Sequence, residues 1–124
     1  MRSKAAWHRI GEHEIYFRST WELHYALFLQ MLQEKGIIAR WEHEPITFWF
    51  ENIKRGVRSY LPDFRVWNVD GSHYWVEVKG YMDSKSKTKI KRFKKYYPNE
   101  SIYIVDKEWF KKHIKPVRTL KYVA

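Results

Sequence analysis

"YLPDFRVWNVDGSHYWVEVKG", residues 60–80, sets two acidic side chains, Asp63 and Glu77, in apolar, aromatic-rich text and closes on Lys79. Alternation of apolar and polar residues reads 60–67 and 73–79 as two strands, with Asp70-Gly71 between them as a hairpin signal. A strand repeats every two residues, so Tyr74, Val76 and Val78 share one face while Trp75, Glu77 and Lys79 share the other. Glu77 and Lys79 then stand about 7 Å apart along the strand. Loop length decides what faces them. A two-residue Asp70-Gly71 turn places Asp63 opposite Val78, pointing away from Glu77. A three-residue loop, Val69-Asp70-Gly71, pairs Asn68 with Ser72 and sets Asp63 directly across from Glu77. Glycine in the third loop position supplies the left-handed residue this loop requires, so the three-residue register is expected.

In that register two carboxylates lie close together and partly shielded from water. They repel, and one pKa rises unless a cation sits between them. A hard divalent ion, Mg²⁺ or Mn²⁺, suits oxygen ligands, and the Val78 carbonyl between the two side chains offers a third oxygen. Such an ion polarises a phosphodiester and lowers the pKa of bound water, while Lys79 would hold or deprotonate that water and offset phosphate charge. The tripeptide pattern acid-x-Lys occurs twice, as Glu77-Val78-Lys79 and Asp83-Ser84-Lys85, but only the first lies on a strand. Taken singly, Asp63 after Pro62 reads as a turn residue and Glu77–Lys79 as a solvated ion pair. The three in register read as a site.

Bulk properties bound the function. A chain of 124 residues, 19% aromatic, suffices for one packed domain. Without cysteine, disulfides and thiolate metal sites are excluded. No apolar run approaches the ~20 residues that span a bilayer, and no signal-peptide pattern stands at the N-terminus, so a cytoplasmic chain without a membrane partner is expected. The net charge of +10 points to nucleic acid.

Residues 1–14 are polar and mixed and read as a loosely held arm; "EIYFRS" follows as a short extended segment. Ser19 is a plausible N-cap for a mostly buried helix with apolar residues at 21, 25, 28, 29 and 32, ended by Gly36. "IIARWEHEPITFWF" reads as one or two strands broken at Pro45, and "ENIKRGVRS" as a basic turn. A basic helix up to Pro98, a short buried strand "SIYIV" and a last helix "KEWFKKHI" capped by Asp106 complete the chain. The expected fold is a single α/β domain over residues 1–124: helix, three or four strands, helix, strand, helix, around a mixed sheet.

Glu22 lies in the first turn of the first helix. Ser19-Thr20-Trp21-Glu22 fits a capping box, and the same carboxylate can equally serve the proposed metal site. With Glu22, Pro62-Asp63 and Glu77-x-Lys79 in this order, the chain resembles the PD-(D/E)xK nuclease superfamily over residues 19–105. "FRSTWE", "WEHEP" and "YLPDF…EVKG" look most like small phage endonucleases, including the junction-resolving endonuclease I type and transposon-encoded cutting subunits. The resemblance implies a restriction-endonuclease-like core and Mg²⁺-dependent hydrolysis of DNA in a bacterial or phage-infected cell. Asp63, Glu77 and the Val78 carbonyl would be metal ligands, Lys79 the catalytic lysine and Glu22 an accessory acid. The sequence has no long interdomain bridge like that of swapped junction-resolving dimers, so a homodimer and a branched, Holliday-junction-like substrate stay open.

Between Ser84 and Pro98 lie Lys85, Lys87, Lys89, Lys91, Arg92, Lys94 and Lys95 with no acidic residue, and Ile90, Phe93 and Tyr97 form the buried stripe. A solvated face is the ordinary fate of such a run; its position just after Lys79 favours phosphate contact without base reading. Lys54, Arg55 and Arg58 form a second basic loop, and Arg18 lies beside Glu22 in sequence. The tryptophans are expected in the core, and the histidines, lacking zinc-site spacing, are expected to be structural or on the surface. A non-catalytic DNA- or RNA-binding module is the alternative reading.

Overall fold

The computed structural model describes residues 5–113. In chain order the elements are β1 (Ala6–Ile10), β2 (His13–Phe17), α1 (Thr20–Glu34), β3 (Ile38–His43), β4 (Phe48–Trp49), β5 (Ser59–Tyr60), β6 (Phe64–Asn68), β7 (His73–Val78), α2 (Ser84–Tyr96) and β8 (Ile102–Val105). A further helix, α3, covers 107–113, where the described residues end. The expected α/β domain with a mixed sheet is what forms. Strand order is β3-β6-β7-β8, antiparallel except for the parallel β7–β8 pair, which α2 connects. No helix among the described residues is long and apolar enough to cross a membrane.

Local chemistry explains the helix ends. The Ser19 side chain accepts the Glu22 N–H at 3.2 Å and caps α1. At the other end Gly36 adopts φ 74°, while Gly36 N–H bonds Gln33 and Ile37 N–H bonds Leu32, the paired bonds of a Schellman motif. Asp83 caps α2 through Ser86 N–H, and Asp106 caps α3 through Trp109 N–H.

Apolar side chains fill both faces of the sheet. Leu23, Tyr25, Ala26 and Leu29 of α1 pack with Phe64, Val66, Val76, Val78 and Val105. On the opposite face Trp75 packs with Ile90 and Phe93 of α2 and with Phe50 and Tyr60 around the small β4–β5 ribbon. Val76 and Val78 therefore face α1 and Trp75 faces α2, as the period-two reading requires.

Four expectations are corrected. Residues 6–14 are no loose arm: β1 and β2 pair antiparallel around a two-residue turn, with Gly11 at φ 58°. Their alternation puts Ile10 and Phe17 into the core and Trp7 and Arg9 outward, and the outward polar residues disguise the strand. Residues 60–67 are not one strand, because Pro62 has no N–H to donate; β5 ends at Tyr60 and β6 begins at Phe64. The strand at 102–105 is an edge strand: Val105 is buried, whereas Tyr103 is 58% exposed. Not every tryptophan is core: Trp41 and Trp75 are buried, but Trp7 and Trp49 are largely exposed.

Candidate active site

The β6–β7 hairpin adopts the three-residue loop. Phe64 pairs with Val76 and Trp67 with His73, Asn68 N–H bonds Ser72, and Gly71 has φ 92°. The paired register stops at Phe64–Val76, and Asp63 stands one residue beyond it. Pro62 has bent the chain away from the ladder at this point, and the Asp63 side chain substitutes for the missing backbone acceptor: its Oδ2 takes the Val78 N–H at 2.7 Å. The N–H and C=O of one strand residue point to the same edge. The Val78 carbonyl therefore also turns toward β6, while Lys79 N–H bonds Val105 on the opposite edge at 2.9 Å.

Glu77 is fixed from another direction. Its Oε1 accepts the Tyr60 hydroxyl at 2.6 Å, and the Tyr60 ring, itself buried, packs against Phe93 of α2. Burial pushes the Tyr60 hydroxyl upward, with Glu77 beside it reinforcing the shift, so it stays a donor. Burial also raises Asp63 well above the ordinary carboxylate range, with the charges of Glu77 and Glu22 adding to it and the Val78 N–H opposing. Glu77 is raised as well, first by burial, against the pull of the Tyr60 hydrogen bond, Lys79 and Lys89. Burial is thus the main reason that both acids are raised, and Lys79 and Lys89 offset it only in part at Glu77.

Glu22 serves twice. Its backbone N–H completes the α1 cap, and its carboxylate lies 3.1 Å from His43 Nε2. The other ring nitrogen of His43 is 3.7 Å from Glu44, whose second oxygen accepts Arg18 at 3.2 Å. Glu44 adopts φ 48°, a left-handed conformation uncommon for a residue with a side chain, and its N–H bonds the Asp63 carbonyl at 2.8 Å. The turn that ends β3 is thereby tied to the start of β6. A cleft of about 520 Å³ opens beside this group, lined by Arg18, Ser19, Thr20, Trp21, Glu22, Val78, Lys79, Gly80, Tyr81 and Lys107. A Cβ on Gly80 would lie 2.5 Å from the Trp21 ring, so glycine is what allows the α1 terminus to approach β7.

Glu22, Asp63, Glu77, Val78 and Lys79 are therefore neighbours at one end of the sheet. Among the described residues no three His, Asp or Glu side chains converge closely enough to hold a metal ion by themselves. A hard octahedral ion such as Mg²⁺ commonly takes one or two carboxylates and completes its shell with water and phosphate oxygens. Two carboxylates with raised pKa values and a carbonyl on the same edge fit that donor set.

The basic residues divide. Lys85, Lys87, Lys91, Lys94 and Lys95 are exposed on α2, and none of its seven cations lies within 4 Å of a carboxylate among the described residues. Lys89 is half-buried and near enough to Glu77 to act on it. Arg92 turns inward and bonds the Val57 carbonyl, pinning the basic loop to α2. Within that loop Arg58 bonds the Lys54 carbonyl at 2.6 Å, and Lys54 and Arg55 stay exposed. Arg18 is engaged by Glu44 at the cleft.

Sequence reading did not find Tyr60, His43 or Glu44. The run Glu42-His43-Glu44 before Pro45, three ionisable residues at a strand end, is a signal that would have found the last two. No local pattern marks Tyr60, which meets Glu77 only through the tertiary fold.

No curated protein and no solved structure matches the chain. Residues 2–107 match the model of a family described as "Protein of unknown function (DUF1064)", and the chain belongs to that family.

Proposed function

We propose that this chain is a divalent-metal-dependent endonuclease that hydrolyses DNA phosphodiester bonds. The observation that carries the reading is the meeting of two buried carboxylates, Asp63 and Glu77, both raised in pKa, at the end of β7, with Lys79 just beyond that end. Asp63, Glu77 and the Val78 carbonyl would hold Mg²⁺, with Mn²⁺ able to replace it. When bound, such an ion supplies Lewis acidity at the phosphate and an acidified water. Lys79 orients the attacking water and offsets the charge gained at phosphorus. Tyr60 holds Glu77 in place, and His43 does the same for Glu22 at the cleft. Phosphate contacts from the exposed lysines of α2 and from Lys54 and Arg55 would hold the backbone on either side of the cut.

A second reading, a DNA- or RNA-binding module without catalysis, is favoured by one observation: the described residues gather no three-sidechain metal cluster. A cleavage panel separates the two. Four-way junction, flap, nicked and linear DNA are incubated with the protein and Mg²⁺ or Mn²⁺. The endonuclease reading expects scission of at least one substrate, with Lys79→Ala slowing it by roughly 10²–10⁴-fold while DNA binding persists. Binding by the wild type without scission of any substrate selects the binding module.

A further inference from the structure

Tyr81 is the most exposed of the large apolar and aromatic side chains, at 78%, and makes no ring contact among the described residues. It lies on the connection between β7 and α2, two residues beyond Lys79, and lines the same cleft. Around that cleft stand the cations Arg18, Lys79 and Lys107. Its volume, about 520 Å³, falls in the range of sites that enclose a small ligand and is far too narrow for a double helix. A base can enter such a space only after leaving its stack, and an exposed aromatic ring is the surface on which an unstacked base settles without regard to its identity. The single anion lining the cleft, Glu22, is turned toward His43 at 3.1 Å, which moderates its repulsion of a phosphate.

We infer that this cleft receives one unpaired nucleotide beside the bond to be cut, with its base stacked on Tyr81 and its phosphate held by Lys79, Lys107 and Arg18. The substrate is then DNA with a single-stranded segment at the cut, such as a flap or an overhang. The inference rests on the endonuclease reading for its purpose, but binding tests it separately.

The experiment compares binding of a blunt duplex and of the same duplex with a single-stranded overhang carrying 2-aminopurine. Binding is read in Ca²⁺, and cleavage is followed independently in Mg²⁺. The wild type binds the overhang about tenfold tighter than the blunt duplex and quenches the fluorescent base. Tyr81→Ala loses most of that preference and the quenching, whereas Tyr81→Phe keeps both. Tyr103→Ala, at an exposed tyrosine that does not line the cleft, also keeps both. Equal wild-type affinity for the two DNAs, or a preference that survives in Tyr81→Ala, overturns the inference. Preference and quenching without any cleavage support it while removing the hydrolytic reading. Cleavage without preference does the reverse.

Discussion

β7 carries ionisable residues at both ends of the face turned toward α2, and the two ends handle charge in opposite ways. At the His73 end, Glu100 accepts the Trp75 indole N–H at 2.6 Å and lies 3.0 Å from His73 Nε2. Arg65 is stacked between Trp67 and Trp75, at 4.3 and 5.1 Å from the ring centroids, and Glu42 accepts the Trp67 indole N–H at 2.7 Å. Nearly every charge there has a donor, a ring or an opposite charge, although the Arg65 Nε finds no acceptor. Glu100 is held below the ordinary carboxylate range: its hydrogen bonds and the neighbouring cations outweigh the largest single influence, burial, which acts upward. At the Glu77 end, Asp63 and Glu77 are both raised, chiefly by burial. One end is finished as structure. The other holds two buried carboxylates with raised pKa values, a pattern that is frequent at functional sites.

Removing the buried charge at Asp63 should change the molecule most. Asp63→Asn keeps an oxygen for the Val78 N–H and should lower cleavage by at least about 10³-fold, since the ion loses a ligand. It should also raise the melting temperature at pH 8 by roughly 2–5 °C, as a buried like charge disappears. The direction follows from linkage. A carboxyl raised in the folded state stabilises the fold when protonated, and that contribution is lost as pH climbs from the ordinary carboxylate range through the raised pKa. The gap between variant and wild type should therefore widen from pH 5 to pH 8 in metal-free melting curves. A gap that shrinks over this interval would contradict the assignment.

Next in size is Gly80→Ala. The added Cβ meets the Trp21 ring at 2.5 Å, so the α1 terminus carrying Glu22 must move. Destabilisation of about 1–3 kcal/mol is expected in denaturant titration, with reduced cleavage in the folded fraction. An unaltered midpoint would show that the close approach of α1 to β7 is not maintained in solution.

The smallest change sharpens the contrast from the finished end. Glu100→Gln weakens the bonds from Trp75 and His73 and should cost about 1 kcal/mol at pH 7, with the cleavage rate unaltered. Here the sign is opposite. Glu100 is lowered in the fold, so its contribution is present above the ordinary carboxylate range and is lost as pH falls through the depressed pKa. A loss of cleavage in Glu100→Gln would mean that the two ends are not separate.

How legible this arrangement is from sequence depends on the range of the contacts. The β6–β7 register was readable because one residue, Gly71, selects the loop, and the loop selects which side chains face each other. The ends of α1 were readable because Ser19 and Gly36 act on backbone groups a few residues away. The first hairpin was not, since a five-residue strand alternating Ala6, His8 and Ile10 with Trp7 and Arg9 has little apolar contrast. Four-residue β8 looked buried from its composition, yet its edge position leaves Tyr103 outside. Tyr60 on Glu77, His43 on Glu22 and Arg92 on Val57 join residues 17, 21 and 35 positions apart, distances over which spacing carries no signal.

If Asp63 and Glu77 share a divalent cation, that cation must stabilise the fold. Thermal unfolding at pH 8 with and without about 10 mM Mn²⁺, for the wild type and Asp63→Asn, tests it without DNA. For an ion bound in the millimolar range, linkage predicts that the wild type melts roughly 3–6 °C higher with Mn²⁺ and that Asp63→Asn gains little. Equal shifts in the two proteins, or no shift in the wild type, would rule out a cation held by Asp63.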